Sequence, residues 1–506
     1  MNQVLVPGAL SLDGKGQNEK AIIRKLFSEL DAARISYCHW KSNCRLEATL
    51  AGDEDIDILV DRRQAANLQG VLSVSGFKLA QSALGAGHPS TFHAIGLDSH
   101  TGELVDLHVC HEVYSGDSLV KNYRMPIEGE LLANTRELLG VKVPDAACEL
   151  VYFVLRIALK HLSPIELLKS NRHRSKHADE LAWLQQAASR SIVSPPAICD
   201  RLFPVIGPGL FSDLVNAVAR QEAIFLRIRL GWKVAWRLRG LRRLSAFAAA
   251  ASRLWRFGDF VRGRLSGAKS LHLVSGGAIV ALVGPKATGK STTANELARC
   301  LGRHLNVCRI HAGKPPPTLI SWIPNWFVPL ARRLLPHERL AVYEDAARRE
   351  RRDFSLFHVA RMALLAHDRR RLLQRALRKA AAGAIVISDR YPSLQPGTID
   401  SSSFDSLALA GCDSWLKRKL MQYERYCYSA IPRPNLVIKL TAPITIAIAR
   451  DATRDKAGGP DAAAVRRHWE LERKTDFGST PVVIIDTTSP LEETARQAVN
   501  AVWAVL

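Results

Sequence analysis

The stretch AIVALVGPKATGKSTTANELARCL, residues 278–301, leaves few folds open to the chain that contains it. Six apolar residues, Ala278 to Val283, lead directly into Gly284-Pro285-Lys286-Ala287-Thr288-Gly289-Lys290-Ser291-Thr292, and an amphipathic helical pattern follows. A buried strand, a glycine-punctuated loop and a helix in that order are the context a GxxxxGK[ST] match requires. The glycines let successive backbone N–H groups curl around phosphate oxygens at the helix N-terminus. Lys290 is placed to neutralise the β- and γ-phosphates, and the Ser291 hydroxyl to ligate Mg²⁺. The expectation is a parallel α/β domain that binds a nucleoside triphosphate, ATP in the first instance, with Mg²⁺.

The rest of the C-terminal half keeps the same alternation. AAGAIVISDRYPS carries a short apolar strand, Ala384 to Ile387, that ends at Asp389-Arg390-Tyr391. An aspartate at the C-terminal end of a parallel strand reaches the P-loop Mg²⁺, and the adjacent arginine reaches a phosphate. Upstream, ALLAHDRRRLLQRALRKA places His367-Asp368-Arg369 on a helix. Downstream, NLVIKLTAPITIAIARDATRDK reads as strand, loop and helix, ending in Arg450, Arg454 and Lys456, and VVIIDTTSPLEETARQAVNAVW closes the domain.

This order resembles the thymidylate kinase family of P-loop nucleoside-monophosphate kinases over roughly residues 277–506. The resemblance implies that Asp389 and Arg390 sit at the metal and the acceptor phosphate, with Arg369 and Tyr391 on the acceptor side. It also implies that Arg454 with Lys456 closes over the transferred phosphoryl group, and that the loop near Asp486 lies by the adenine. The catalytic set is then Lys290, Asp389, Arg390 and Arg454. The chain departs from the family in carrying Lys286 and Ala287 where an acidic residue is usual within the P-loop. It also has RIHAGKPPPT, residues 309–318, in place of a Glu-Pro-Gly type acceptor motif, followed by an insertion, LISWIPNWFVPLARRLLP. These departures bear on the acceptor more than on the chemistry, and leave it as a nucleoside monophosphate or another phosphate acceptor. The whole is similar to thymidylate kinase-like proteins of bacterial polysaccharide gene clusters.

The N-terminal half carries a second constellation. In GDEDIDILVD, residues 52–61, Asp55 and Asp57 are two apart in a run that reads as a strand, so both carboxylates share one face. Asp106 in ELVDLHV supplies a third carboxylate, flanked by Val105 and Leu107 on the opposite face. Like charges on one face need a cation, and Mg²⁺ is the economical one. HWKSN, residues 39–43, precedes the pair and opens a loop suited to face phosphate. A loop serine, a DxD and a later strand aspartate resemble the minimal nucleotidyltransferase fold over residues 20 to about 110. That resemblance implies metal ligands at Asp55, Asp57 and Asp106, and Ser42 on the triphosphate. Lys41 stands where the family's usual glycine precedes the serine, and Glu54 where a serine commonly precedes the first aspartate, so binding without turnover remains an alternative.

At 506 residues two or three domains are expected. The pattern gives a nucleotidyltransferase-like α+β domain at 20–145, a helical companion region with a basic amphipathic linker at 146–268, and the P-loop domain at 270–506. The nine cysteines include no CxxC pair, which argues against a zinc ribbon or a disulfide framework. Cys38-His39 with Cys44, or His108 with Cys110-His111, can be drawn as a metal cluster; buried cysteines beside strand histidines are the preferred reading. No signal peptide and no apolar run of the ~20 residues needed to cross a membrane is present, so the reading is cytoplasmic.

The formal charge is +22, and between Gln221 and Ser270 twelve Arg or Lys face only Glu222 and Asp259. Trp232, Trp236 and Trp255 lie among those arginines. A solvated linker, an anionic membrane surface that would hold the protein peripherally, and a nucleic-acid backbone are the readings, in that order. The leading function is an ATP- and Mg²⁺-dependent phosphotransferase fused to a nucleotidyltransferase-like module. The alternatives are a nucleic-acid-processing end kinase with nucleotidyl-transfer activity, and a non-catalytic ATP-binding adaptor at a membrane surface.

Overall fold

The computed structural model describes residues 19–82, 87–160, 162, 166, 174–266, 271–322, 354–453 and 462–506. The chain divides into two compact units, Met1–Lys269 and Ser270–Leu506. Both are mixed α/β, as the alternation of strand and helix patterns leads one to expect.

In the first unit, strands β1 (Tyr37–His39), β2 (Ile56–Val60), β3 (Lys78–Ser82), β4 (Thr91–Asp98) and β5 (Glu103–Cys110) lie in the order β1-β2-β5-β4-β3. β2 and β5 are parallel, and the other pairs are antiparallel. Alternation sorts the side chains. Ile56, Ile58, Val60, Val105, Leu107 and Val109 go to one core, with Leu26, Leu30 and Leu72 of the helices Ala21–Ala32 and Ala65–Val74. Cys38, Trp40, Leu59 and Cys110 go to the other core, with the helix Ala146–Lys160. Asp57, Asp106 and His108 share that second face, because each is displaced by one residue from the first set.

Two short hairpins follow the sheet, β6 (Val113–Ser115) with β7 (Tyr123–Met125) and β8 (Thr135–Leu138) with β9 (Val141–Pro144). The helix Ala146–Lys160 is buried on nearly every side, among the helices Arg174–Ala188, Pro195–Leu202, Gly207–Ala219 and Ile224–Arg237. A helix apolar all round belongs at the centre of such a bundle. The basic segment also joins in: Leu230, Val234 and Ala235 enter this core and Arg227 is buried. Its last helix, Ala246–Ser266, is tied down by Arg253, whose Nε and Nη2 donate to Asp117 at 3.0 and 2.9 Å.

In the second unit, a short strand β10 (Leu271–Leu273) precedes β11 (Ile279–Val283), β12 (Val307–His311), β13 (Ile385–Asp389), β14 (Leu436–Thr441) and β15 (Val482–Asp486). The last five form one sheet, ordered β12-β13-β11-β14-β15 and parallel throughout. β11 is central and fully buried, which accounts for its unbroken apolar sequence. The chain leaves β11 to one side and returns to its other side at β14, so the loop after β11 opens at a topological switch point, where open parallel sheets bind ligands. No helix among the described residues is long and apolar enough to cross a membrane.

Candidate functional site

The loop after β11 is shaped by backbone constraints. Gly284 has φ +141°, and a Cβ there would lie 2.3 Å from the Leu440 carbonyl oxygen. Gly289, at φ +85°, caps the helix Lys290–Leu301, and Ala287 also takes a positive φ of 70°. The buried Thr288 hydroxyl closes the loop by donating to the Pro285 carbonyl at 2.9 Å. Lys290 Nζ curls over it and donates to the carbonyls of Gly284 and Pro285 at 2.8 and 2.6 Å. Lys286 forms a 2.8 Å ion pair with the buried Asp451 of the helix Ile444–Ala452. Thr292 lies exposed in the first turn of the following helix.

At the end of β13 the Asp389 carboxylate accepts a 2.8 Å hydrogen bond from the Ser291 hydroxyl. The two residues lie 98 positions apart in sequence and meet because β13 is the parallel neighbour of β11. Arg390 follows with φ +71° and donates to Asp400 at 3.4 Å. Arg369 is buried. Its Nε donates to the Ala312 carbonyl at 2.8 Å, its Nη1 to the Asp400 carbonyl at 2.9 Å and to the Tyr428 hydroxyl, and its Nη2 to Asp400 Oδ1 at 3.0 Å. All three guanidinium nitrogens are thus engaged by the protein, so Arg369 fixes Asp400, and Asp400 in turn holds Arg390. The Tyr391 hydroxyl donates to the Pro432 carbonyl at 2.6 Å while its ring forms a wall.

The pocket beside the loop is lined by Gly284, Lys290, Arg390, Asp400, His468 and Glu472. The sequence reading missed the last three. His468 and Glu472 lie four apart on the helix Ala462–Arg473, and that i,i+4 spacing was the available signal. Asp400 sits in a loop with no periodic pattern to mark it. Burial lowers the His468 imidazole, and the charges of Arg390 and Lys290 lower it further. Burial raises the Glu472 carboxyl, against the opposing pull of Lys439. Next to this pocket, sharing Tyr391 and Phe477, lies a cleft of 260 Å³ whose walls include Pro392, Arg425 and Arg433. Arg450 donates to Thr487, through Nη1 to its hydroxyl at 3.1 Å and Nη2 to its carbonyl at 2.7 Å, and Asp486 accepts from Thr488. Arg454 and Lys456 lie outside the described residues, as does most of the insertion after residue 322.

In the first unit the three carboxylates do meet, but around an imidazole. Strand register puts Asp57 opposite His108 on one side and His93 opposite His108 on the other. His108 Nδ1 is 3.3 Å from Asp57 Oδ1, and its Nε2 is 3.4 Å from Asp106 Oδ2 and 3.8 Å from Asp55 Oδ2. His93 Nδ1 lies 3.1 Å from Asp106 Oδ1. Lys41 adds a 2.8 Å ion pair to Asp57 and stacks on Trp40. Burial alone would lower His108; the hydrogen bonds and charges of Asp106 and Asp57 outweigh it and hold the imidazole up at about 9. Burial would raise Asp57, but Lys41 and His108 bring its carboxyl well below the usual range.

The loop that carries Lys41 is anchored from below. Ser42 adopts a left-handed conformation, φ 59°, and starts the short turn Asn43–Arg45. Asn43 donates through its backbone N and Nδ2 to the buried Glu149 at 3.3 and 2.9 Å, and its Oδ1 accepts from His39 Nδ1 at 2.6 Å. Cys38 and Cys110 are buried in the core, and His111 Nδ1 meets the Val60 carbonyl at 3.0 Å. Among the described residues, neither cysteine-containing cluster drawn from the sequence comes together as a ligand set; His93, which the sequence reading passed over, takes the place beside His108.

No family model matches the chain. It is similar to the Escherichia coli K12 protein "Uncharacterized ATP-binding protein YghR", with 27% identity over 234 residues that cover 45% of this chain and 87% of that protein. The protein of the same description from E. coli O6:H1 matches to the same extent.

Proposed function

We propose that the second unit is an ATP- and Mg²⁺-dependent phosphotransferase of thymidylate kinase-like type. The observation that carries this reading is the 2.8 Å hydrogen bond between Ser291 at the P-loop and Asp389 at the end of the neighbouring strand. These are hard oxygen donors within reach of one small cation, and the donor set fits Mg²⁺. When bound, Mg²⁺ supplies charge neutralisation across the β- and γ-phosphates. The chain's own residues do the rest. The loop N–H groups and the dipole of the Lys290–Leu301 helix hold the phosphates. Lys290 exchanges two carbonyl oxygens for phosphate oxygens. Arg390, held by Asp400, faces the same pocket and stabilises charge on the moving phosphoryl group.

The γ-phosphoryl group passes in line from ATP to an acceptor oxygen, and ADP leaves. The acceptor enters by the cleft beside Tyr391, where Arg425 and Arg433 offer charge to a phosphorylated or otherwise anionic molecule. The ATP-binding description of the E. coli relative supports ATP as donor. The test is incubation with γ-labelled ATP, Mg²⁺ and a panel of nucleoside monophosphates, sugars and cell extract. A labelled product absent with Lys290→Ala supports the reading, and equal labelling by that variant refutes it.

The first unit is a nucleotidyltransferase-like module on this reading, supported by its sheet order and gathered carboxylates. Its donor set does not fit Mg²⁺ held by Asp55, Asp57 and Asp106 together. Lys41 already neutralises Asp57, and the His108 ring stands between the carboxylates. For the basic segment an anionic membrane surface is the favoured partner, because Phe225, Trp232 and Trp236 are exposed along one stripe of a helix with Arg229 and Lys233.

A further inference from the structure

We propose that His93, Asp106 and His108 form a binding site for one divalent transition-metal ion of the Zn²⁺ type, with Asp57 orienting His108 from the outer shell. Each of the three residues offers one ligand atom, and these atoms all lie within 4.8 Å of one another. With Oδ2 of Asp106 as the common ligand atom, His93 Nδ1 and His108 Nε2 each lie 3.4 Å from it, which matches ligand spacing. Ligands at ~2.1 Å in a tetrahedral shell stand roughly 3.4 Å apart. The backbone sets this spacing: β4 and β5 are antiparallel with His93 opposite His108, and Asp106 is two residues before His108 on the same face.

The ring orientation of His108 points to the same site. A carboxylate only accepts, so Nδ1 of His108 donates its proton to Asp57. That leaves Nε2 turned toward oxygens of Asp106 and Asp55, both of them acceptors. A nitrogen lone pair aimed at carboxylate oxygens is stable only with a proton or a metal ion between them. A histidine whose far nitrogen is held by a carboxylate is the usual outer-shell arrangement of a metal-bound imidazole. The Lys41 ion pair with Asp57 keeps that carboxylate out of the inner shell. Nitrogen donors favour Zn²⁺, Co²⁺ or Ni²⁺ over Mg²⁺. Three protein ligands leave a fourth position, bordered by the half-exposed Asp55, for water or substrate.

This inference is independent of the phosphotransfer reading, and its test does not measure turnover. Full-length protein, stripped of metal by chelation and with accessible thiols alkylated, is titrated with Co²⁺ followed by visible absorption, and with Zn²⁺ by calorimetry. The expected result is one equivalent bound, with Co²⁺ d–d bands of a nitrogen- and oxygen-ligated four- or five-coordinate ion. His93→Gln and His108→Gln abolish the bands, and Asp57→Asn weakens affinity by about 10–100-fold. Circular dichroism and melting temperature, measured on each variant without metal, separate a lost ligand from a lost fold. Folded histidine variants that still bind Co²⁺ with unchanged bands overturn the proposal. So does a wild-type protein that binds only Mg²⁺, with a dependence on Asp55 and Asp57 but not on the histidines.

Discussion

Lys290 curls back on the carbonyls of its own loop, so its charge is already held above the place where phosphates would lie. Removing it takes away a preorganised cation, and Lys290→Ala is expected to lower ATP turnover by at least about 10²–10³-fold, read as labelled product per time. Glu149 shows a different residue-scale effect. Burial raises its carboxyl from the ordinary 4.5 to about 7, despite hydrogen bonds from Asn43 that favour the charged form. Between those pH values the folded chain keeps a proton that the unfolded chain has lost. The Glu149 contribution to the stability of the first unit therefore falls as pH rises from 4.5 to 7 and is level above that. The loss is of order 3 kcal/mol. In Glu149→Gln the melting temperature should vary less over this range, and an unaltered slope would count against the assignment.

Among the elements, the strand–loop–helix at Ile279–Leu301 leaves little room for change. Gly284→Ala puts a Cβ against the Leu440 carbonyl at a φ that side chains avoid. The substitution is expected to cost more than about 1 kcal/mol and to abolish the rise in melting temperature expected when ATP is added to the wild type. This element was legible because hydrophobicity, glycine placement and helical period all agree within two dozen residues. Strand alternation likewise made Asp55, Asp57 and Asp106 readable as one face. His93 was not, because its role depends on β4 lying antiparallel to β5 in one register. A shift of one residue would turn it to the other face.

At the scale of the whole molecule, the positive charge is concentrated where large apolar side chains are exposed. Trp232, Trp236 and Trp255 are 63%, 62% and 57% exposed, yet Leu230 and Val234 of the same region are buried in the helical core. The segment is therefore anchored on one side and offers aromatic and basic groups on the other. Flotation with vesicles rich in anionic lipid should fall strongly in Trp232→Ala/Trp236→Ala/Trp255→Ala and at high salt, with the melting temperature little changed. Binding of RNA or DNA that drops steeply with salt, without vesicle flotation, would favour the nucleic-acid alternative instead.

Local sequence determined the parts of this protein whose information is local: the phosphate loop, the buried strand before it, and the two-residue spacing of Asp55 and Asp57. Tertiary structure decided which distant residues meet. Parallel pairing of β11 with β13 joined Ser291 to Asp389, and the β2, β5 and β4 register gathered two histidines and three carboxylates. It also turned Arg369 inward, onto Asp400 and away from solvent. The physical reason is that a side chain's chemistry is set by its neighbours, and pairing between strands far apart in sequence is fixed by the packing of both sheet faces rather than by any short stretch of residues.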